Sequence, residues 1–279
     1  HVYNPGGVQA CAQRTVTATD PAGNVSGKTE ATVDAVAPPA PSVNPVNGHD
    51  PITGTAEPGA KVTVTFPDGK TVTADVGVDG HFEIDNPGSL HDGDKITVTA
   101  TDPAGNVSGK AEATVDALAP AMPAMDALND TNPIRGSAEA GSTVTVTFPD
   151  GSTVTTTAGP DGKFTVHNPG DLEDGQTIIV TATDVAGNTS APAHVVIDAV
   201  APNAPTVETI VGDNDIVGEA EPGSTVTVTY PDGSTANTLA DENGHFTLHN
   251  PGLNPGEKVT VSATDAAGNV SPPTEAYMV

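Results

Sequence analysis

Lys61-Val-Thr-Val-Thr-Phe66 followed by Pro67-Asp-Gly69 alternates apolar and polar side chains and then stops at a turn. Successive side chains of a strand point to opposite faces, so Val62, Val64 and Phe66 are expected to face a core and the threonines water. Pro-Asp-Gly supplies what a chain reversal needs: a fixed φ, a carboxylate that bonds its own backbone, and a residue free to turn left-handed. The same alternation recurs at Thr143 to Phe148 and Thr225 to Tyr230, and a second run, Lys95 to Ala100, repeats it within the first of these units.

The period extends well beyond this stretch. Ala-Thr-Asp ends at Asp20, Asp102, Asp184 and Asp265, at intervals of 82, 82 and 81 residues, and Pro-Asp-Gly begins at Pro67, Pro149 and Pro231. Self-similarity at a fixed interval is the mark of a tandem array. Units begin near Pro38, Pro120 and Pro202, each behind an Asp-Ala-(Val/Leu)-Ala-Pro link too short and stiff to be a flexible tether. The expected domains are therefore 38–119, 120–201 and 202–279, preceded by 1–37, the second half of a truncated unit, in which Asn4-Pro5-Gly6 answers to Asn86-Pro87-Gly88.

Turn signals at Glu57-Pro-Gly59, Pro67-Asp-Gly69, Val78-Asp-Gly80, Asn86-Pro-Gly88 and Pro103-Ala-Gly-Asn106 divide each unit into about seven short strands. The fold class is all-β: tandem immunoglobulin-like seven-stranded β-sandwiches in an elongated array, here without the disulfide and buried Trp of antibody domains. Composition agrees. Of 279 residues 35% are hydrophobic, none is Trp and five are Phe, so each core must be thin and built from Val, Ile, Ala and Thr methyls. The lone Cys11 excludes an intramolecular disulfide and any multi-cysteine zinc site. Nine Lys and Arg against 36 Asp and Glu leave a net charge of −27, which repels phosphate. Nucleic acid and membrane insertion are thus excluded as partners, and cations are the natural counterpart.

Gly54-Thr-Ala-Glu-Pro-Gly59, Val62-Thr-Val64, Pro67-Asp-Gly69, Asp79-Gly80 before an aromatic, Ala100-Thr-Asp-Pro-Ala-Gly-Asn-Val-Ser108 and Val115-Asp-Ala-Leu-Ala-Pro120 occur in order in this chain. Together they resemble the bacterial Ig-like (BIg) tandem repeats of giant biofilm-associated adhesins. The resemblance covers the three full units and the leading fragment. It implies an extracellular location, secreted or on the bacterial cell surface, and calcium at domain junctions. Many such repeats carry Trp in the fifth strand, where this chain has Phe82, Phe164 and Phe246.

If seven antiparallel strands alternate between two poles, three connections return to the upstream pole: second to third, fourth to fifth and sixth to seventh. In the second full unit these hold Glu139, Asp161 and Asp184, and the incoming link holds Asp116. The preceding junction has Asp34, Glu57, Asp79 and Asp102, and the following one Asp198, Glu221, Asn243 and Asp265. Carboxylates crowded together repel unless a cation intervenes, and no Lys recurs at one position of all three units to serve. Hard oxygen donors in irregular geometry suit Ca²⁺. At a dissociation constant near 10⁻⁴ M and millimolar calcium, each site would add about 1.4 kcal/mol and stiffen the link. The competing reading is local: Asp in the sixth-to-seventh turn can bond its own backbone, Asn106, Asn188 and Asn269 can tolerate a left-handed conformation, and Glu57 and its counterparts can be plain turn residues.

No nucleophile elbow, phosphate loop or metalloprotease motif is present, and the eight His are scattered. The expected function is a non-enzymatic, calcium-rigidified stalk segment supporting cell adhesion and biofilm formation. Its partners would be calcium ions, neighbouring repeats of the same chain, and cell-surface or matrix components reached through modules outside the segment. The alternative is that the units themselves bind a carbohydrate or protein receptor, for which Tyr230 and Tyr277 would be the available aromatic anchors.

Overall fold

The computed structural model describes residues 13–279, so Tyr3, Asn4 to Gly6 and Cys11 lie outside the described residues. A hairpin of β1 (Gln13–Val16) and β2 (Thr29–Thr32) comes first, every residue of it exposed. The first repeat follows with β3 (Ser42–Val43), β4 (Ile52–Thr55), β5 (Lys61–Thr65), β6 (Thr71–Asp75), β7 (His81–Ile84), β8 (Lys95–Thr101) and β9 (Ala111–Thr114). The second has β10 (Ala124–Met125), β11 (Ile134–Ser137), β12 (Thr143–Thr147), β13 (Thr153–Thr157), β14 (Lys163–Val166), β15 (Thr177–Thr183) and β16 (Ala193–Val196). The third has β17 (Thr206–Val207), β18 (Ile216–Glu219), β19 (Thr225–Thr229), β20 (Thr235–Leu239), β21 (His245–Leu248), β22 (Lys258–Thr264) and β23 (Thr274–Tyr277).

The chain gathers into two compact units. One holds the described residues up to Ala119 together with Val185–Asn188; the other holds Pro120–Asp184 and Thr189–Val279. Among the described residues no helix is long and apolar enough to cross a membrane.

Each repeat is the expected antiparallel sandwich. A three-stranded sheet, β3-β4-β7 in the first repeat, faces a four-stranded sheet, β6-β5-β8-β9, and the other two repeats keep the same order. Past the first strand the chain crosses to the other sheet: Val46, Leu128 and Ile210 bridge in parallel to Val115, Ile197 and Met278. That crossing seats the first-to-second connection beside the end of the seventh strand, where the link to the next repeat departs.

The alternation read in Lys61 to Phe66 is realised. Val62 and Val64 are fully buried opposite Ala100 and Val98 of β8, while Thr63 and Thr65 are half-buried on the outer face. Phe82, Phe164 and Phe246 lie in the three cores, and each stands across the sheet from a glycine, Gly54, Gly136 or Gly218. Phe in place of Trp thus leaves the sandwich intact. The glycines are there for space. A Cβ on Gly218 would lie 2.0 Å from the carbonyl oxygen of Thr206 and 2.7 Å from the Phe246 ring. The neighbouring strand and the aromatic core both occupy that volume, and the strand backbone has nowhere to retreat.

Overpacking of this kind costs typically 1–3 kcal/mol. Gly218→Ala is therefore expected to lower the stability of the third repeat by about 2 kcal/mol or more in urea unfolding. Adding Phe246→Leu should recover only part, because the Thr206 carbonyl remains in the way.

Candidate functional site

Wherever the described residues carry a repeat-to-link contact, the Ala-Gly-Asn of the sixth-to-seventh turn is at its centre. In the first repeat that turn closes on Asp102, whose N–H donates to the carbonyl of Asn106 and whose own carbonyl accepts from Gly105 N–H. The Asp102 carboxylate accepts the Asn106 backbone N–H through Oδ1 at 2.8 Å and its side-chain amide through Oδ2 at 2.8 Å. Asp20 with Asn24 and Asp265 with Asn269 repeat the pair. Asp184 holds the same place between β15 and β16. Left-handed backbone in these turns falls on Gly23, Gly105, Gly187 and Gly268, with φ between 89° and 95°, so tolerance of that conformation is not what Asn supplies.

What Asn supplies is reach. The Asn106 side-chain amide donates to the backbone carbonyl of Asp34, 72 residues earlier, at 3.2 Å. Within the same compact unit Asn188 donates to the carbonyl of Asp116 at 2.9 Å, and in the second unit Asn269 donates to that of Asp198 at 2.8 Å. The link Asp is held from three further directions. Its N–H bonds Val46 or Leu128 carbonyls in the two repeats that precede a link; its Oδ1 accepts from Leu118 or Val200 N–H; and Asp92 or Asp174 accepts from the following Ala N–H. It is the backbone carbonyl of the link Asp, not its carboxylate, that accepts from the Asn amide.

A second contact comes from the first-to-second connection. Asn129 is 3% exposed, and its Oδ1 caps the N–H groups of Thr131 and Asn132. Buried Asn168, from the Asn-Pro-Gly turn, donates to the carbonyls of both Asn129 and Asn132 and holds this loop from below. The Asn132 amide then donates to the carbonyl of Ala267 at 3.3 Å, and a Cβ on Gly268 would lie 2.6 Å from it. In the first unit Asn47 plays the corresponding part, donating to the carbonyl of Ala186 at 2.9 Å and to Asp50 at 2.6 Å. Sequence reasoning did not single out Asn47, Asp50, Asn129 or Asn132. The signal was the recurrence of Asn47 at Asn129, 82 residues on, masked because their neighbours differ, Asp50 answering to Asn132 among them. Ser108, Ser190 and Ser271, buried and capping the Ala100, Ala182 and Ala263 N–H groups, are a second recurring set that steadies the turn.

The other expected ligands stand apart from this contact. Glu57, Glu139 and Glu221 are exposed, and it is their backbone carbonyls that accept, from Ala60, Ser142 and Ser224 N–H. Asp79 and Asp161 each cap the N–H two residues on, at 3.1 and 3.0 Å, folding back over Gly77 and Gly159. The third repeat moves the carboxylate to the glycine's place: Asp241 caps the N–H groups of Asn243 and His245. Asp34, Asp116 and Asp198 cap the link through Oδ1. Among the described residues no three of His, Cys, Asp and Glu gather closely enough to hold a metal ion. As placed, the side chains of Asp34, Asp79, Asp116, Asp161 and Asp198 accept from backbone N–H groups close to them in the chain.

The comparisons bear on the whole repeat. The family described as "Bacterial Ig domain" matches residues 37–117, 119–198 and 201–279. The chain belongs to this family. No curated protein matches the chain. Among solved structures, the FN1–FN3 domains of chicken CNTN1 are similar, with 12% identity, 86% of this chain and 98% of that one covered, and a TM-score of 0.37. The BSP domain of a biofilm associated protein is similar too, at 14% identity, 89% and 68% coverage, and a TM-score of 0.28.

The bacterial Ig turn carries a pH dependence. Asp20 and Asp102 are held below the ordinary value of 3.8, chiefly by the side-chain amide of Asn24 or Asn106 and further by backbone N–H groups, against a smaller desolvation effect. A carboxyl depressed on folding adds stability that is fully present above 3.8 and is lost as pH falls from there through the folded value. Calorimetric melting temperatures are therefore expected to stay level from about pH 7 to 5 and to fall below about pH 4. Asn106→Ala should flatten the share of that fall due to Asp102.

Proposed function

We propose that this chain is a non-enzymatic stalk segment of a bacterial surface adhesin, extracellular and spacing other modules away from the cell. The observation that carries the reading is the recurrence of one joint, an Asn amide on the carbonyl of a link Asp, at Asn106, Asn188 and Asn269. A link free to swivel has no use for a polar contact repeated this faithfully, whereas a spacer working by stiffness needs one at each joint. Three bacterial Ig domains in tandem support the same reading.

Calcium belongs to the proposal as a second, weaker clamp. A net charge of −27 draws divalent cations, and the link acids Asp34, Asp116 and Asp198 are exposed beside the joint. Small-angle scattering on the full chain tests both parts. Asn106→Ala, Asn188→Ala and Asn269→Ala together remove bonds worth about 1 kcal/mol each and are expected to broaden the distribution of dimensions while the repeats stay folded. An unchanged profile would remove the joint from the function. Chelator added to the parent chain is expected to broaden the profile less, and no response to it would leave hydrogen bonds as the sole stiffener.

A receptor-binding role has one observation in its favour. The first repeat has a cleft of about 470 Å³ between its third-to-fourth turn and the loop after its fifth strand, lined by Phe66, Val72, Leu90, Lys70 and His91. The third repeat offers less, because Tyr230, expected as an exposed anchor, packs against the core and donates its hydroxyl to the carbonyl of His249 at 3.0 Å. Saturable binding of the full chain on a glycan array, lost in Lys70→Ala, would favour this reading over the stalk.

A further inference from the structure

The two downstream ends that receive a neighbour are built alike, and the third repeat departs from both at the same two places. Asn47 and Asn129 answer to Val211, and the link residues Asp116 and Asp198 answer to Val279. The correspondence is anchored by the parallel bridges, since Val46 with Val115, Leu128 with Ile197 and Ile210 with Met278 immediately precede these pairs.

The loop has been rebuilt around the change. With no Asn side chain to cap it, the connection closes by a backbone bond from Asn214 N–H to the carbonyl of Val211, and Gly212 takes a left-handed φ of 54°. Gly48, at the same position of the first repeat, has no such conformation. Asn250 still supports the loop from below, donating to the carbonyl of Gly212 at 2.9 Å, and Val279 N–H still bonds Ile210. The sandwich is therefore intact to its edge. Its upstream end is also unaltered, because Asp265, Gly268 and Asn269 make the full joint. What is gone is the buried Asn that shapes the socket and the Asp whose side chain caps the link; Asn214, which answers to Asn132, is kept, but its N–H closes on the Val211 carbonyl where that of Asn132 closes on an Asn side chain.

We propose that Val211 and Val279 make the downstream end of the third repeat a specificity break, an end face that does not lock onto another bacterial Ig repeat of this kind. A following repeat of this kind would be held by different contacts or would turn freely. This rests on the joint and not on the adhesin role.

The full chain carrying a second copy of residues 199–279 after Val279 tests it. In the parent background the appended repeat is expected to tumble independently in NMR relaxation, with the side-chain amide of its copied Asn269 exchanging freely. Val211→Asn with Val279→Asp should restore the joint, slowing that exchange about fivefold, the factor a hydrogen bond of about 1 kcal/mol is worth, and bringing the repeat's tumbling into step with the rest. Locking in the parent background, or failure of the double variant to lock, would overturn the proposal. A melting temperature of the double variant matching the parent's excludes misfolding as the cause.

Discussion

A side-chain amide on a backbone carbonyl some 72 residues away is the bond that ties each Ala-Gly-Asn turn to a link Asp within its compact unit. Each joint uses a neutral donor and a neutral acceptor, so it does not weaken as the surface charge of −27 would weaken a contact between acids.

The bond is productive only because both partners are fixed beforehand. On one side the Asp carboxylate spends both oxygens on the Asn, so the amide has one N–H left and one direction to send it. On the other, the link is tied by its own repeat through the Val46 and Leu128 carbonyls and the Asp92 and Asp174 carboxylates. Little freedom is left to lose when the joint forms, which is why a single hydrogen bond of ordinary strength can matter there. Glycine completes the fit. Gly268 combines a left-handed backbone with a position where a Cβ would strike Asn132, two separate reasons for the same residue.

Most of the aspartates picked out from sequence cap backbone N–H groups of their own turn or link. The exchange between Gly77-Val-Asp79 and Asp241-Glu-Asn243 makes the point, since moving the acid by two residues preserves the capping of N–H groups and would not preserve a ligand position. Carboxylate capping and carboxylate ligation draw on the same residue types in the same kinds of turn, so composition and spacing cannot separate them.

By itself the sequence determined the period, the seven-strand sandwich, the inward-facing Val62, Val64 and Phe66 and the turn at Asp102. These follow from alternation and turn chemistry between residues close along the chain. The three-dimensional structure alone decided that Asn106 reaches beyond its own turn, that Asn129 and Asn168 build a receiving loop, that Gly218 is a matter of space beneath Phe246, and that Val211 and Val279 share one end face. Each of those pairs residues far apart in the chain, brought together when two sheets close over a core, and no local pattern records which distant carbonyl or ring will arrive at a given side chain.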